Sequence, residues 1–232
     1  MDRHGPPCPA LSVSGTKAEP IRIILFAKAP WPGFAKSRLI PLLGPEGAAA
    51  LAHRLLDMTL ASAVAAGLGP VELSVTPAIG APAWAGVRIP EGVIVTTQGE
   101  GDLGERFIQT ASGYRGAMLW IGTDCLEMSP ALLREAARAL QTTDAVIHPT
   151  VDGGYALLGL RQFYPQLFTG MAWSTATVAA ESIRRIRQLG CSLHIGACLH
   201  DLDEPADLLA LDAPTVARLL GKEGVCSLDP AG

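Results

Sequence analysis

The sequence predicts an α/β protein: a mostly parallel sheet covered by helices on both faces. Three observations point there. From Ile21 onward, short branched apolar runs alternate with helical patterns, which is how β-α units read. Hydrophobic residues make up 49% of the 232 positions, enough for a sizeable core. The 25 Gly and 18 Pro stay below the roughly 25–30% that marks a low-complexity chain. At about 150 residues per domain, one enlarged domain over residues 21–222 is the economical division. A flexible lead-in over residues 1–20 and a tail over residues 223–232 flank it.

IRIILFA, from Ile21 to Ala27, reads as a buried strand by its length and branched content. Gly44-Pro45 opens a helix, since a proline at an early helical position forfeits no hydrogen bond. Leu51, Leu55 and Met58 recur at i, i+4 and i+7 and give that helix its apolar stripe. Val71 to Thr76 and Val93 to Thr97 are the next strands. Asp102 is placed to cap a helix whose Leu103, Phe107, Ala111 and Tyr114 share a face, with Glu105 as the reciprocal cap. Ala117 to Thr123 is a fourth strand, ending at Asp124. Ser129-Pro130 starts a helix carrying Leu132, Leu133, Ala136 and Leu140. Ala145 to His148 and Tyr155 to Leu160 are strands flanking the loop Pro149 to Gly154. A helix follows Ser174, with Val178, Ile183, Ile186 and Leu189 inward. Leu193 to Ala197 is a last strand, and Asp203 caps a final helical segment. Ligands of such sheets sit at the carboxyl ends of strands.

The 18 basic and 22 acidic residues leave a net charge of −4, which gives no overall pull toward nucleic acid or anionic lipid. Five Cys without a CxxC argue against a disulfide framework or a structural zinc, and suit a reducing cytoplasm. The longest charge-free stretch, Gln162 to Ala180, is interrupted by Pro165, Gly170 and several polar side chains, so no membrane span is expected. The first twenty residues have no apolar core of signal-peptide length.

The first strand runs into AKAPWPGFAKSRL, where Lys28, Lys36 and Arg38 are gathered around Gly33. Such a loop past a strand end offers backbone N–H groups and fixed positive charge to phosphates, although the composition equally suits a solvated loop. It is not a Walker A loop, because Gly33 is not followed directly by Lys. GEGDLG, Gly99 to Gly104, spells G-x-G-x-x-G, but it follows the third strand, and Glu100, Asp102 and Glu105 would repel a pyrophosphate. A close backbone approach to a flat base, with Gln98 supplying an amide, is the other use. At strand ends stand Asp124, Asp201 and Asp203, which if convergent would bind a hard divalent cation and if not would serve as caps or turn residues. Asp152, in PTVDGGYALLGL, either orients an acceptor or closes a Gly-Gly turn. His200 is a ligand, a base or a surface histidine. Cys125 lacks an evident activating neighbour. Trp173 suits a hydrophobic staple or an aromatic pocket wall.

Taken together, AKAPWPGFAKSRL, QGEGDLGERF, IGTDCLEMSP, PTVDGGYALLGL, MAWSTATV and DLDEPADL resemble the bacterial DUF2064 group. These are glycosyltransferase-like proteins of the GT-A, or nucleotide-diphospho-sugar transferase, fold. The group is also similar to molybdenum-cofactor and phospholactate nucleotidyltransferases. The resemblance implies a Rossmann-like three-layer α/β/α sandwich. It implies that Lys28, Gly33, Lys36 and Arg38 hold a diphosphate or triphosphate, and that Gln98, Gly101 and Gly104 face the base. Asp124 matches the metal-binding aspartate of the fold, with Asp203 as its distal partner. The sequence departs from the pattern in having no local Asp-x-Asp at Asp124 and in carrying Leu126 where relatives often have proline. The expected protein is a cytoplasmic, metal-assisted transferase. Lys36 and Arg38 clamp the phosphates, Mg²⁺ or Mn²⁺ on Asp124 and Asp203 stabilises the departing charge, and Asp152 positions a small acceptor. Glycosyl transfer from a nucleotide-diphospho-sugar leads. Nucleotidyl transfer from a nucleoside triphosphate, releasing pyrophosphate, is second, and a non-catalytic nucleotide-binding protein is third.

Overall fold

The computed structural model describes residues 20–221, so the expected lead-in, apart from Pro20, and the expected tail lie outside the described residues. Seven strands form one sheet: β1 (Arg22–Lys28), β2 (Val71–Thr76), β3 (Ile94–Thr97), β4 (Met118–Ile121), β5 (Ala145–Pro149), β6 (Tyr155–Leu160) and β7 (Leu193–Ile195). Their spatial order is β3-β2-β1-β4-β6-β5-β7. β1 pairs in parallel with β2 and β4, β2 with β3, and β5 with β7, while β6 runs against both its neighbours. The reversal follows from the chain. A parallel partner needs a crossover of a dozen or so residues, and the short turn after Pro149 leaves β6 only an antiparallel return.

Among the described residues, six α-helices flank the sheet: α1 (Ile40–Ala66), α2 (Leu103–Ala111), α3 (Pro130–Ala139), α4 (Val178–Gln188), α5 (Pro205–Leu209) and α6 (Ala213–Leu220). Successive residues of β1 point to opposite faces. Ile23 and Leu25 therefore join Leu56 and Leu60 of α1 and Leu133 of α3. Ile24 joins Phe107 of α2 and Ile186 of α4 on the other face. The architecture is the three-layer sandwich that the alternating pattern implies. Phe107 is the hub of the second face, with ring centroids 5.2 Å from Phe26, 5.4 Å from Trp120 and 4.6 Å from Phe168. That aromatic packing fixes α2, and with it the loop entering α2, against the sheet.

Local signals set some element ends and not others. The capping box forms as expected, with Glu105 N–H donating to Asp102 Oδ1 at 3.0 Å and Asp102 N–H to Glu105 Oε2 at 2.8 Å. α1 is broken at Gly44 (φ 71°, ψ 166°), so the continuous helix does start at Pro45. Ser174 stands in the left-handed region (φ 60°), and the residue preceding α4 is Thr177. Trp173 stacks on Phe107 at 5.9 Å and belongs to the core rather than to a staple. Asp203 does not cap the final segment, which is two helices. Pro205 occupies the first position of α5, so the cap falls on Glu204, whose N–H donates to Asp207 Oδ2 at 2.7 Å. Asp212 caps α6. The Asp203 carboxylate is left for other work.

His148, on β5, is 2% exposed and lies against Gly196, where a Cβ would come within 2.2 Å of the imidazole. Its Nδ1 is 3.2 Å from the Ala197 carbonyl, and its Nε2 is buried without a partner. Burial holds its pKa below the ordinary histidine value, against the opposing pull of the Ala197 carbonyl and Glu135, while His194 adds to the depression. The unfolded chain therefore takes up the proton first. This contribution to stability is complete above about pH 6.5 and is lost as the pH falls below that through the folded-state value. The expected outcome is a wild-type urea midpoint that falls relative to that of His148→Gln as the pH is lowered from about 7.5 to about 5.

Candidate active site

The chain lays down β1, β2 and β3 outward and then returns to place β4 on the other side of β1. This puts a topological switch point between β1 and β4, where open α/β sheets bind ligands beyond the strands' carboxyl ends. Lys28 ends β1, and Asp124 is the third residue past the end of β4. Between them opens a cavity of about 360 Å³, lined by Lys28, Lys36, Arg38, Gln98, Arg106, Asp124 and Asp203 together with Phe34 and Leu103. A cavity of that size suits a small organic ligand.

Residues 199–203 reach this crevice by running across the strand ends. Leu199 bridges to Thr150 and Asp201 to Cys125, and Leu202 N–H donates to the Asp124 carbonyl at 2.9 Å. Leu202 is buried with Leu39, Leu51 and Leu55. With alternate residues of an extended segment on opposite sides, a buried Leu202 turns both Asp201 and Asp203 away from that cluster. Lys36 arrives from the β1 loop in the left-handed region (φ 49°, ψ 42°). Its side chain is 5% exposed, and Nζ lies 2.5 Å from Asp124 Oδ1 and 2.6 Å from Asp203 Oδ1. Burial opposes the ammonium charge, yet Asp124 and Asp203 together hold its pKa above the usual lysine value. Asp201, half-buried beside them, has its pKa pushed up to about 7 by burial and by Asp124, Asp203 and Asp152, against the pull of Lys36.

The other expected residues are distributed as follows. Lys28 Nζ sits 4.5 Å above the Phe34 ring. Arg38 is on the same cavity but exposed, and its 3.4 Å contact with Glu204 Oε1 is a surface pair of little worth. Gln98 lines the cavity, but its amide is already engaged. Nε2 donates to the Ala27 and Ser74 carbonyls at 3.2 and 2.8 Å, and Oε1 accepts from Arg106 Nη1 at 2.7 Å. Gly33 and Gly101 do not line the cavity. Gly104 is buried, and a Cβ there would come within 2.5 Å of the Phe168 carbonyl, so it serves the packing of α2. Asp152 also stands outside the lining. Its Oδ1 accepts from the Thr150 hydroxyl at 2.5 Å and the Gly154 N–H at 2.9 Å. His200 is turned to Glu127, with Nδ1 3.0 Å from Oε1. The Cys125 thiol is pushed up to about 12 by burial and by Glu127, which rules out a resting thiolate nucleophile.

Arg106 was missed by the sequence reading. Its guanidinium lines the cavity, is steadied by Gln98, and has a buried Nε without a partner. The signal was an arginine four residues after the helix cap Asp102, one turn along and so aimed back toward the strand end.

Among the described residues, no group of three or more His, Cys, Asp or Glu is disposed to hold a metal ion. Two carboxylates facing one cation do suit Mg²⁺ or Mn²⁺ of the kind that takes its remaining ligands from water and substrate phosphates. Asp124 and Asp203 already converge on one charged nitrogen. The donor set therefore fits such an ion.

Comparison with known proteins gives the family and the fold. The family model described as "Uncharacterized protein conserved in bacteria (DUF2064)" matches residues 59–175, and the chain belongs to that family. The crystal structure of a candidate nucleotide-diphospho-sugar transferase from Desulfovibrio desulfuricans G20 is similar with a TM-score of 0.77 at 27% identity, covering 87% of this chain and 94% of that one. The inositol-1-phosphate CTP transferase from T. maritima gives 0.57 at 14% identity, with 90% and 98% covered. Rv0371c from Mycobacterium tuberculosis H37Rv gives 0.53 at 17%, with 88% and 100% covered. The last two likenesses bear on the fold alone, which is the GT-A and nucleotidyltransferase type. No curated protein matches the sequence. Among the described residues, no helix is long and apolar enough to cross a membrane.

The turn that carries Asp152 depends on a glycine. Gly153 has φ 89°, and a Cβ there would lie 2.0 Å from the Ala176 carbonyl oxygen, which is backbone and has no rotamer to yield. Gly153→Ala should lower unfolding stability by at least about 2 kcal/mol, from the strained conformation and the overlap together, read as a fall in the urea midpoint.

Proposed function

We propose that this DUF2064 protein is a metal-assisted transferase that moves a glycosyl group from a nucleotide-diphospho-sugar to a small acceptor. The observation that carries the reading is the meeting of cations and carboxylates in one crevice at the switch point. Lys36 stands between Asp124 and Asp203, and Lys28, Arg38 and Arg106 line the same cavity. Residues 21–222 act in this reading as one catalytic domain. Lys28, Lys36 and Arg38 attract and orient the diphosphate. A Mg²⁺ or Mn²⁺ held by Asp124 and Asp203 supplies charge neutralisation at the leaving group. Asp152 has one oxygen fixed by Thr150 and Gly154, and offers the other to an acceptor hydroxyl. Preorganised electrostatic groups of this kind are worth about 10²–10³ in rate each.

Glycosyl transfer is favoured by the likeness to the Desulfovibrio protein, at 27% identity and a TM-score of 0.77. Nucleotidyl transfer is the second reading. Three cations on the β1 loop suit a triphosphate as well as a diphosphate, and the fold is shared with a CTP transferase.

A thermal-shift panel of UDP, GDP, CDP, their sugars and the triphosphates, with and without Mn²⁺, separates the two. A ligand at 100 times its Kd adds about 2.7 kcal/mol, and about 2–4 °C per kcal/mol is expected for a chain of this size. Diphosphate preference supports glycosyl transfer, and triphosphate preference supports nucleotidyl transfer. Binding without turnover on any acceptor marks a non-catalytic nucleotide-binding protein, and no response at all sinks the reading. Asp124→Asn should erase the Mn²⁺-dependent part of the gain; an undiminished gain would move the cation elsewhere. Arg106→Ala should weaken nucleotide binding by about 10–100-fold, the worth of a hydrogen bond to a charged group, at unchanged Mn²⁺ dependence in calorimetric titration.

A further inference from the structure

The carboxylates assigned above to a divalent cation are both already in contact with a positive charge. Lys36 Nζ lies 2.5 Å from Asp124 and 2.6 Å from Asp203. The lysine sits inside the crevice rather than on the surface. Its side chain is 5% exposed, whereas each aspartate side chain is 43% exposed. Its backbone is held in the left-handed region, which L-residues other than asparagine and aspartate seldom adopt. The Leu39 N–H closes the following turn on the Lys36 carbonyl at 2.9 Å, and Leu39 itself is fully buried. The loop therefore delivers the ammonium to this place.

The remaining cations of the cavity are engaged differently. Lys28 lies over Phe34, Arg38 meets Glu204, and Arg106 donates to Gln98. None of these contacts neutralises Asp124 or Asp203.

We propose that Lys36 and the divalent cation compete for Asp124 and Asp203, so that the cation enters only as Lys36 passes to the phosphates of the nucleotide. The inference rests on the function proposed above and adds an order of binding to it. A Mg²⁺ or Mn²⁺ ion needs carboxylate oxygens at about 2.0–2.2 Å, and an ammonium in contact with the same oxygens is excluded by space and by like charge. Nucleotide phosphates relieve the conflict twice, by giving Lys36 a new anion and by adding oxygen ligands for the ion. The lysine side chain has the freedom to make that move, being a point charge on a flexible stem. In the free protein Lys36 thus acts as a resident counter-ion that keeps a reactive cation out until there is substrate to activate.

The test uses Mn²⁺ alone, without nucleotide, with free ion followed by the electron paramagnetic resonance signal of hydrated Mn²⁺. The chains compared are the wild type, Lys36→Gln, Lys36→Asn, Asp124→Asn and the double variant Lys36→Gln with Asp124→Asn. Asparagine tolerates the left-handed backbone, so Lys36→Asn guards against a folding defect in Lys36→Gln. Competition predicts that both Lys36 variants bind Mn²⁺ at least about tenfold more tightly than the wild type, a difference of about 1.4 kcal/mol. The double variant should lose that gain. In chelator, Lys36→Gln should melt below the wild type and recover more on adding Mn²⁺. If the Lys36 variants bind Mn²⁺ no more tightly than the wild type while Asp124→Asn still weakens binding, the competition is overturned and the cation assignment survives. If Asp124→Asn changes nothing, in either background, the assignment itself falls and the competition falls with it.

Discussion

The structure turns on a charge problem at the carboxyl ends of β1 and β4. Asp124, Asp201 and Asp203 crowd into one crevice, with Asp152 close enough to raise the Asp201 carboxyl. Carboxylates so placed repel one another, and the contact that makes their convergence tolerable is the Lys36 ammonium between Asp124 and Asp203. Three stretches far apart in the chain depend on it: the loop after β1, the end of β4 and the extended segment before α5. Each is tied down separately, by the buried Leu39, by pairing of Cys125 with Asp201, and by Leu202 in an apolar cluster. An arrangement that concentrates like charge at this cost is characteristic of sites that bind and transform ligands.

The sheet supplies the frame. Parallel pairing of β2, β1 and β4 points their carboxyl ends the same way, and the return of the chain to β4 opens the crevice beside β1. The aromatic cluster about Phe107 then sets α2 on the second face. Through α2 it sets the guanidinium of Arg106 at the cavity wall, where Gln98 steadies it. Of the residues that look like ligand contacts on sequence grounds, Gln98 is spent on holding the scaffold and Gly104 on the packing of α2, whereas Arg106, which the sequence reading missed, lines the cavity with its Nε unpartnered.

The elements themselves were legible because their signals are local. The capping box at Asp102 and Glu105, the Ser129-Pro130 start of α3 and the branched run of β1 each depend on residues within one turn or one strand. Failures came where a neighbour in the chain changed the geometry or a distant one claimed the side chain. Pro205 moved the last cap from Asp203 to Glu204. Trp173, adjacent to a cap-like serine, was taken by the ring of Phe107 instead.

By itself the sequence determined the α/β class, the strands and helices close to their bounds, and the motifs that resemble DUF2064 proteins. These follow from hydrophobic period and cap chemistry, which act over a few residues. Only the tertiary structure decided that Asp124 and Asp203 face the same nitrogen, that Gln98 is spent on backbone carbonyls, and that Arg106 lines the cavity. Those outcomes rest on strand order and on contacts between residues 70 to 170 positions apart, such as Gln98 with Ala27 and Lys36 with Asp203. Nothing in local spacing encodes a meeting between groups whose separation is set by the folding of everything between them.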